Sequence, residues 1–192
     1  MAKAPKFLYL TNVASPIGDV LLVTDDQVLV SLDYKGYEHR MMRLLETRYG
    51  PVNLVESSEQ DSQIRQLTNS IQAYLAGNLT AIDTIAVNPG GTVFQAKVWQ
   101  ALRSITPGTV ISYGELARHL GNPAAVRAIG TTNSLNPISI VLPCHRVIGA
   151  NGSLTGYAGG IERKRWLLEH EGVDLAHPSL STKHGQQLSL LD

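Results

Sequence analysis

The chain has 192 residues, of which 43% are hydrophobic and 17% charged, with sixteen Lys+Arg against sixteen Asp+Glu; this excludes a disordered, fibrous or polyelectrolyte chain. No apolar run approaches the roughly 20 residues that span a bilayer, and the apolar core of the opening MAKAPKFLYLTNVASPIGD is too short for a secretory leader. The single cysteine cannot form an internal disulfide, so the expectation is a cytoplasmic protein with no membrane partner. Charge is unevenly spread: residues 1–89 carry seven Lys+Arg against ten Asp+Glu, and residues 90–172 carry eight against four. A basic second half could meet a phosphate backbone, although two counts this small also differ by chance.

In chain order, FLYLTNV, GDVLLVT and VLVSLDY read as a β-meander broken by SPIG and DDQ. Tyr37 to Tyr49 has a helical pattern with Met41, Met42, Leu44 and Leu45 on one side, stopped by Gly50-Pro51. Asp61 to Ala76 is a second helix, with Ile64, Leu67, Ile71 and Leu75 in register, Asp61 or Ser62 as cap and Gly77 as terminator. LTAIDTIAV reads as a short extended segment, and NPGG (88–91) as the linker between two domains. Beyond it, Thr92 to Ser104 is helical with Thr92 as cap, and TPGT is a turn. Ser112 to His119 and Ala124 to Ser134 form two short helices across Gly121-Asn122-Pro123, a helix-turn-helix pattern. ISIVLP is expected as a buried strand delivering Cys144, followed by the glycine-rich ANGSLTGYAGG and a last helix over Ile161 to Glu171. The expected organisation is therefore 1–88, a small mixed α/β domain; 89–172, a mainly helical domain; and 173–192, a disordered tail.

The chemistry concentrates at VLPCHRVIG. A lone cysteine ending an apolar strand is most often a buried structural residue, and one sulfur with scattered histidines makes no zinc site. Pro143 fixes the backbone before Cys144 and removes a donor. His145 and Arg146 follow, and a cationic neighbourhood lowers a thiol's pKa. On extended backbone, adjacent side chains point to opposite faces, so His145 would reach the sulfur only through a turn or a bridging water. A third group should orient the imidazole; Glu171 and Glu169 are available, with Glu115 a poorer choice.

The stretch PCHRVIGANGSLTGYAGGIERKRWLLEHEG resembles the active-site signature of the O6-alkylguanine-DNA alkyltransferases, the methylated-DNA–protein-cysteine methyltransferases. The likeness extends upstream through SYGELARHLGNPAAVRAIGTTNSLNPISIVL to about Gly91, whereas residues 1–90 match in general layout only. The resemblance implies an α/β (α+β) protein, with a ribonuclease-H-like mixed sheet before the helical part. It implies that Cys144 takes the alkyl group from O6 of guanine, activated through a water by His145 and Glu171. Asn136 matches the asparagine that ties the helix-turn-helix to the active-site strand, and Tyr113 the tyrosine that protonates the departing guanine.

The target carbon lies in a stacked base, so the nucleotide must be extruded, and Arg127 matches the arginine that fills its place. Ala124, Ala125 and Ala128 match the small residues of a helix that approaches the minor groove of double-stranded DNA bearing alkylated bases. Val147, Tyr157, Ala158 and Ser139 match the substrate pocket; Ser139 stands where some members carry proline, and Ala158 where some carry serine. No metal or other cofactor is implied, the expected state is a monomer, and cooperative binding on DNA is left open. Since a thioether offers water no activated carbonyl, each molecule should react once. The competing readings are a non-enzymatic helix-turn-helix alkylation sensor and a cysteine hydrolase needing an oxyanion hole.

Overall fold

The computed structural model describes residues 4–58 and 61–175. Its first half is a four-stranded mixed sheet in the order β3-β2-β1-β4, built from β1 (Lys6–Val13), β2 (Val20–Asp25), β3 (Val28–Tyr34) and β4 (Val52–Glu56). β1–β2 and β2–β3 are antiparallel, as the meander predicts. β4 was not foreseen: it pairs parallel to β1, Lys6 opposite Val52, after the crossover helix α1 (Glu38–Tyr49). Its five residues are mostly exposed or half-buried, so no buried alternation marks it.

β2 sits centrally and is buried on both faces, because alternate residues point to opposite sides. Leu21 and Val23 pack with Met41 and Leu45 of α1, while Val20 and Leu22 face a larger core with Ile71 and Tyr74 of α2 (Ser62–Leu75). Asp61 caps α2 by accepting from the Gln63 amide at 2.9 Å. That larger core continues without a break into the second half, through Val98, Leu102, Leu116, Ile129 and Leu167. The described chain thus shares one main core.

The second half contains α3 (Val93–Arg103), α4 (Tyr113–His119), α5 (Val126–Ser134), α6 (Ile161–His170) and a parallel pair, β5 (Ile111–Ser112) with β6 (Val147–Ile148). Thr92 with Gln95, and Ser112 with Glu115, form reciprocal capping boxes that start α3 and α4. The second helix of the helix-turn-helix is two pieces, a 3-10 turn at Pro123–Ala125 and then α5.

Two expectations of extended chain fail. LTAIDTIAV is a series of turns, with Ala81, Asp83 and Ile85 amides returning to carbonyls three residues back. Only Val87 bridges, in parallel to Leu29 of β3. ISIVLP is likewise wound into tight turns; Leu142 N donates to Ile138 O and Cys144 N to Leu142 O. Ile140 is held at φ 69°, an uncommon left-handed conformation for a β-branched residue. What positions this segment is β3, whose outer edge accepts it in place of another strand: Leu32 N donates to Pro137 O and Ser139 N to Leu32 O, both at 2.9 Å. The expected disordered tail lies outside the described residues from 176 onward; Val173 and Leu175 pack beside Val110, Ile148 and Leu168.

Candidate active site

Cys144 opens a single 3-10 turn, Cys144–Arg146, so the opposed-face geometry of extended chain does not apply to His145. The thiol is 5% exposed. Asn136, on the loop after α5, organises the approach: its Nδ2 donates to Leu142 O at 2.7 Å and lies 3.2 Å from Cys144 Sγ, and its Oδ1 accepts from Ile138 N at 3.0 Å. One side chain therefore ties the helix-turn-helix, the turn segment and the sulfur together.

His145 is fully buried, and its Nε2 lies 2.9 Å from Glu171 Oε1. A carboxylate only accepts, so Nε2 carries the proton and Nδ1 presents a lone pair; Nδ1 is buried and has no hydrogen-bond partner. Burial holds the imidazole below its ordinary pKa despite Glu171, which keeps it neutral with its Nδ1 lone pair unprotonated. Glu171, at the C-terminal cap of α6, also receives Arg146 Nε at 2.9 Å, Arg146 Nη2 at 2.8 Å and Tyr74 Oη at 2.6 Å. Burial alone would raise this carboxyl, but His145 and Arg146 outweigh it and hold it well below the usual range. Of the other carboxylates, Glu169 is exposed and Glu115 is engaged in the α4 cap.

The electrostatics differ from expectation in one respect. Burial pushes the Cys144 thiol up rather than down, opposed by the Asn136 contact and by the charges of Lys164 and Arg40. Arg146 does not act on the sulfur; it is committed to Glu171 and to Ile105 O. Lys164, fully buried in α6, donates to Val147 O at 2.7 Å and Thr155 O at 2.8 Å, clasping the glycine-rich loop to β6. Burial pushes its pKa down to about 8.

Tyr157, almost fully buried, and Tyr113, half-buried at the start of α4, both lie within the electrostatic reach of Cys144, and a Cβ on Gly156 would lie 4.0 Å from the Tyr113 hydroxyl. Val147 and Ser139 are buried and Ala158 is half-buried. Arg127, Ala124 and Ala128 are exposed on the outer side of the helix-turn-helix, but Ala125 is buried in the main core with 9% of its surface left. Among the described residues no group of His, Cys, Asp and Glu could hold a metal, and no helix is long and apolar enough to cross a membrane.

Sequence reasoning missed Tyr74, Arg40, Lys164 and Tyr34. Arg40 of α1 pairs with Asp33 and donates to Ser134 O and Asn136 O, at 2.9 Å each. Tyr74 gave a signal that went unread: a tyrosine on an apolar helix face needs a buried partner for its hydroxyl.

Comparison with known proteins agrees with this geometry along both halves. Residues 8–89 match the family model described as 6-O-methylguanine DNA methyltransferase, ribonuclease-like domain, and residues 93–173 the one described as its DNA binding domain. The chain is 50% identical over 164 residues, 84% of its length and 94% of the relative's, to the methylated-DNA–protein-cysteine methyltransferase of Salmonella typhimurium. Identity to that of Methanosarcina acetivorans is 43%, covering 86% of this chain and 99% of the relative. Among solved structures, Mycobacterium tuberculosis OGT in complex with DNA superposes with a TM-score of 0.69 at 39% identity, covering 86% of this chain and 92% of that one. With family models matching residues 8–89 and 93–173 and relatives up to 50% identical over most of its length, the chain belongs to the methylated-DNA–protein-cysteine methyltransferase family.

Proposed function

We propose that this protein repairs DNA by moving the alkyl group of O6-alkylguanine onto Cys144, once per molecule. The observation that carries the assignment to this residue is the buried sulfur at 3.2 Å from Asn136 Nδ2, next to a neutral imidazole anchored on Glu171. The thiol proton passes through a water to His145 Nδ1, which has no hydrogen-bond partner of its own. Sulfur then forms a bond to the alkyl carbon as the bond from carbon to O6 breaks, and the electron pair leaves on guanine. Tyr113 gives that guanine a proton and recovers one from the His145 side, so the products are a thioether and neutral guanine. Glu171 stabilises the transient imidazolium.

The double helix is approached by α4 and α5, with Arg127 replacing the extruded nucleotide and the small face of α5 against the minor groove. Two features of α5 support this. A Cβ on Gly130 would meet nothing within 4 Å, so internal packing does not require that glycine. Val126, beside Arg127, is 38% exposed, and apolar wedges accompany minor-groove binding. Residues 1–88 serve as a supporting unit for 89–172, and the protein works as a cytoplasmic monomer. A cysteine hydrolase is disfavoured because the Cys144 amide, a natural oxyanion donor, is already spent on Leu142 O at 2.7 Å.

The test is intact-mass and peptide analysis after incubation with duplex DNA containing O6-methylguanine. One CH2 should be gained, on the peptide bearing Cys144, up to one equivalent of DNA. Sustained turnover, or modification elsewhere, refutes the proposal.

A further inference from the structure

The family reading assigns the pocket to the second half of the chain, yet the first half sends a side chain to it. Tyr34, the last residue of β3, is 0% exposed, and its Oη lies 2.7 Å from that of Tyr157. The rings meet edge to face, with centroids 6.2 Å apart. Tyr34 is fixed from every side. Arg163 of α6 lies over its ring at 4.6 Å while donating to Gly159 O and Ile17 O. Any Cβ at Gly159 would come within 2.7 Å of Tyr34 Cδ2, so this glycine is set by the Tyr34 ring rather than by its own backbone.

Either hydroxyl can donate in this bond, and neither has a second hydrogen-bond partner among the described residues: Tyr34 is 0% exposed and Tyr157 9%, so breaking the bond would strand a buried hydroxyl. Burial raises both phenols above their ordinary pKa, and a charge on Cys144 raises them further, so both stay protonated where the enzyme works.

We propose that Tyr34 is a positioning residue for alkyl transfer: its hydroxyl, hydrogen-bonded to that of Tyr157, locks that ring as the wall of the base pocket. This deepens the proposed function and rests on it. It gives the first half of the chain a part in pocket selectivity as well as in support.

The experiment is a single-turnover double-mutant cycle on the full-length protein, with wild type, Tyr34→Phe, Tyr157→Phe and the double variant. Each is assayed with duplex DNA carrying O6-methylguanine and with duplex carrying O6-benzylguanine. Tyr34→Phe should lower the saturating rate about tenfold, the size of effect expected for directly coupled side chains, with the half-saturating DNA concentration little moved. It should alter the ratio of benzyl to methyl rates, and add nothing in the Tyr157→Phe background. A general loss of folding would scale both substrates equally and be additive, and that pattern overturns the proposal. So does a wild-type rate in Tyr34→Phe. Failure of wild type to alkylate Cys144 instead overturns the functional reading, and this inference with it.

Discussion

Asn136 makes three contacts with one amide, and each lies on a different part of the route from α5 to the sulfur. Asn136→Ala should therefore cost about 2–4 kcal/mol, since it leaves the buried Ile138 N–H without its partner and removes one of the two donors at Leu142 O along with the one at Sγ. Chemical denaturation checks this, together with a slower single-turnover rate. Ser139 makes a second prediction. Its amide is bound to Leu32 O at 2.9 Å, so the proline of some relatives is not neutral here. Ser139→Pro removes that bond and should destabilise the protein by about 1–3 kcal/mol; an unchanged denaturation midpoint would contradict it. That His145, beside Cys144, would meet Glu171 was legible from the PCHRV context and the last helix. Their electrostatics were not, because the sequence puts Arg146 next to Cys144 while the fold turns it onto Glu171.

Among the elements, the capped helices were the most readable, since Thr92 with Gln95 and Ser112 with Glu115 are local signals that need no distant partner. The strands depended on their neighbours. β4 exists because β1 offers it an edge, and ISIVLP is turned rather than extended because Asn136 and β3 take up its hydrogen bonds. An apolar run alone could not separate these outcomes. On α5, Arg127 is exposed and has no ion-pair partner among the described residues, so it is available to a ligand. Arg127→Ala should slow repair of O6-methylguanine in duplex DNA far more than alkylation by the free base O6-benzylguanine, because only the duplex requires a nucleotide to be extruded. Equal slowing of the two reactions would remove Arg127 from that role.

For the molecule as a whole, acid sensitivity follows from the buried Glu171 and His145. Glu171 is held below its ordinary 4.5, so the stability it contributes is present above that value and is lost as pH falls through the folded pKa. Burial holds His145 below its ordinary 6.5, so from there downward the unfolded chain binds the proton more readily than the folded one. Both effects act in the same direction. Calorimetry from pH 7.5 to 4 should show the melting temperature falling below about 6.5 and more steeply below about 4.5. His145→Gln should flatten the upper part of that fall, and a flat wild-type curve would contradict the assignment. The continuous main core adds a further expectation: a fragment of residues 89–192 should lack cooperative unfolding, because Leu22, Leu32, Ile71 and Tyr74 complete its packing.

Pairing the active-site segment to β3 also determines what strangers can do to this sheet. β3 is bonded at Leu29 and Leu32, leaving β4, among the described residues, as the flank open to strand addition, and β4 is five residues long, follows Pro51 and displays Asn53 and Glu56 to solvent. Such a flank is a poor template for aggregation. Damage that frees Ser139 from Leu32 would bare a second, apolar one, so loss of the reactive geometry and onset of clumping should arrive together.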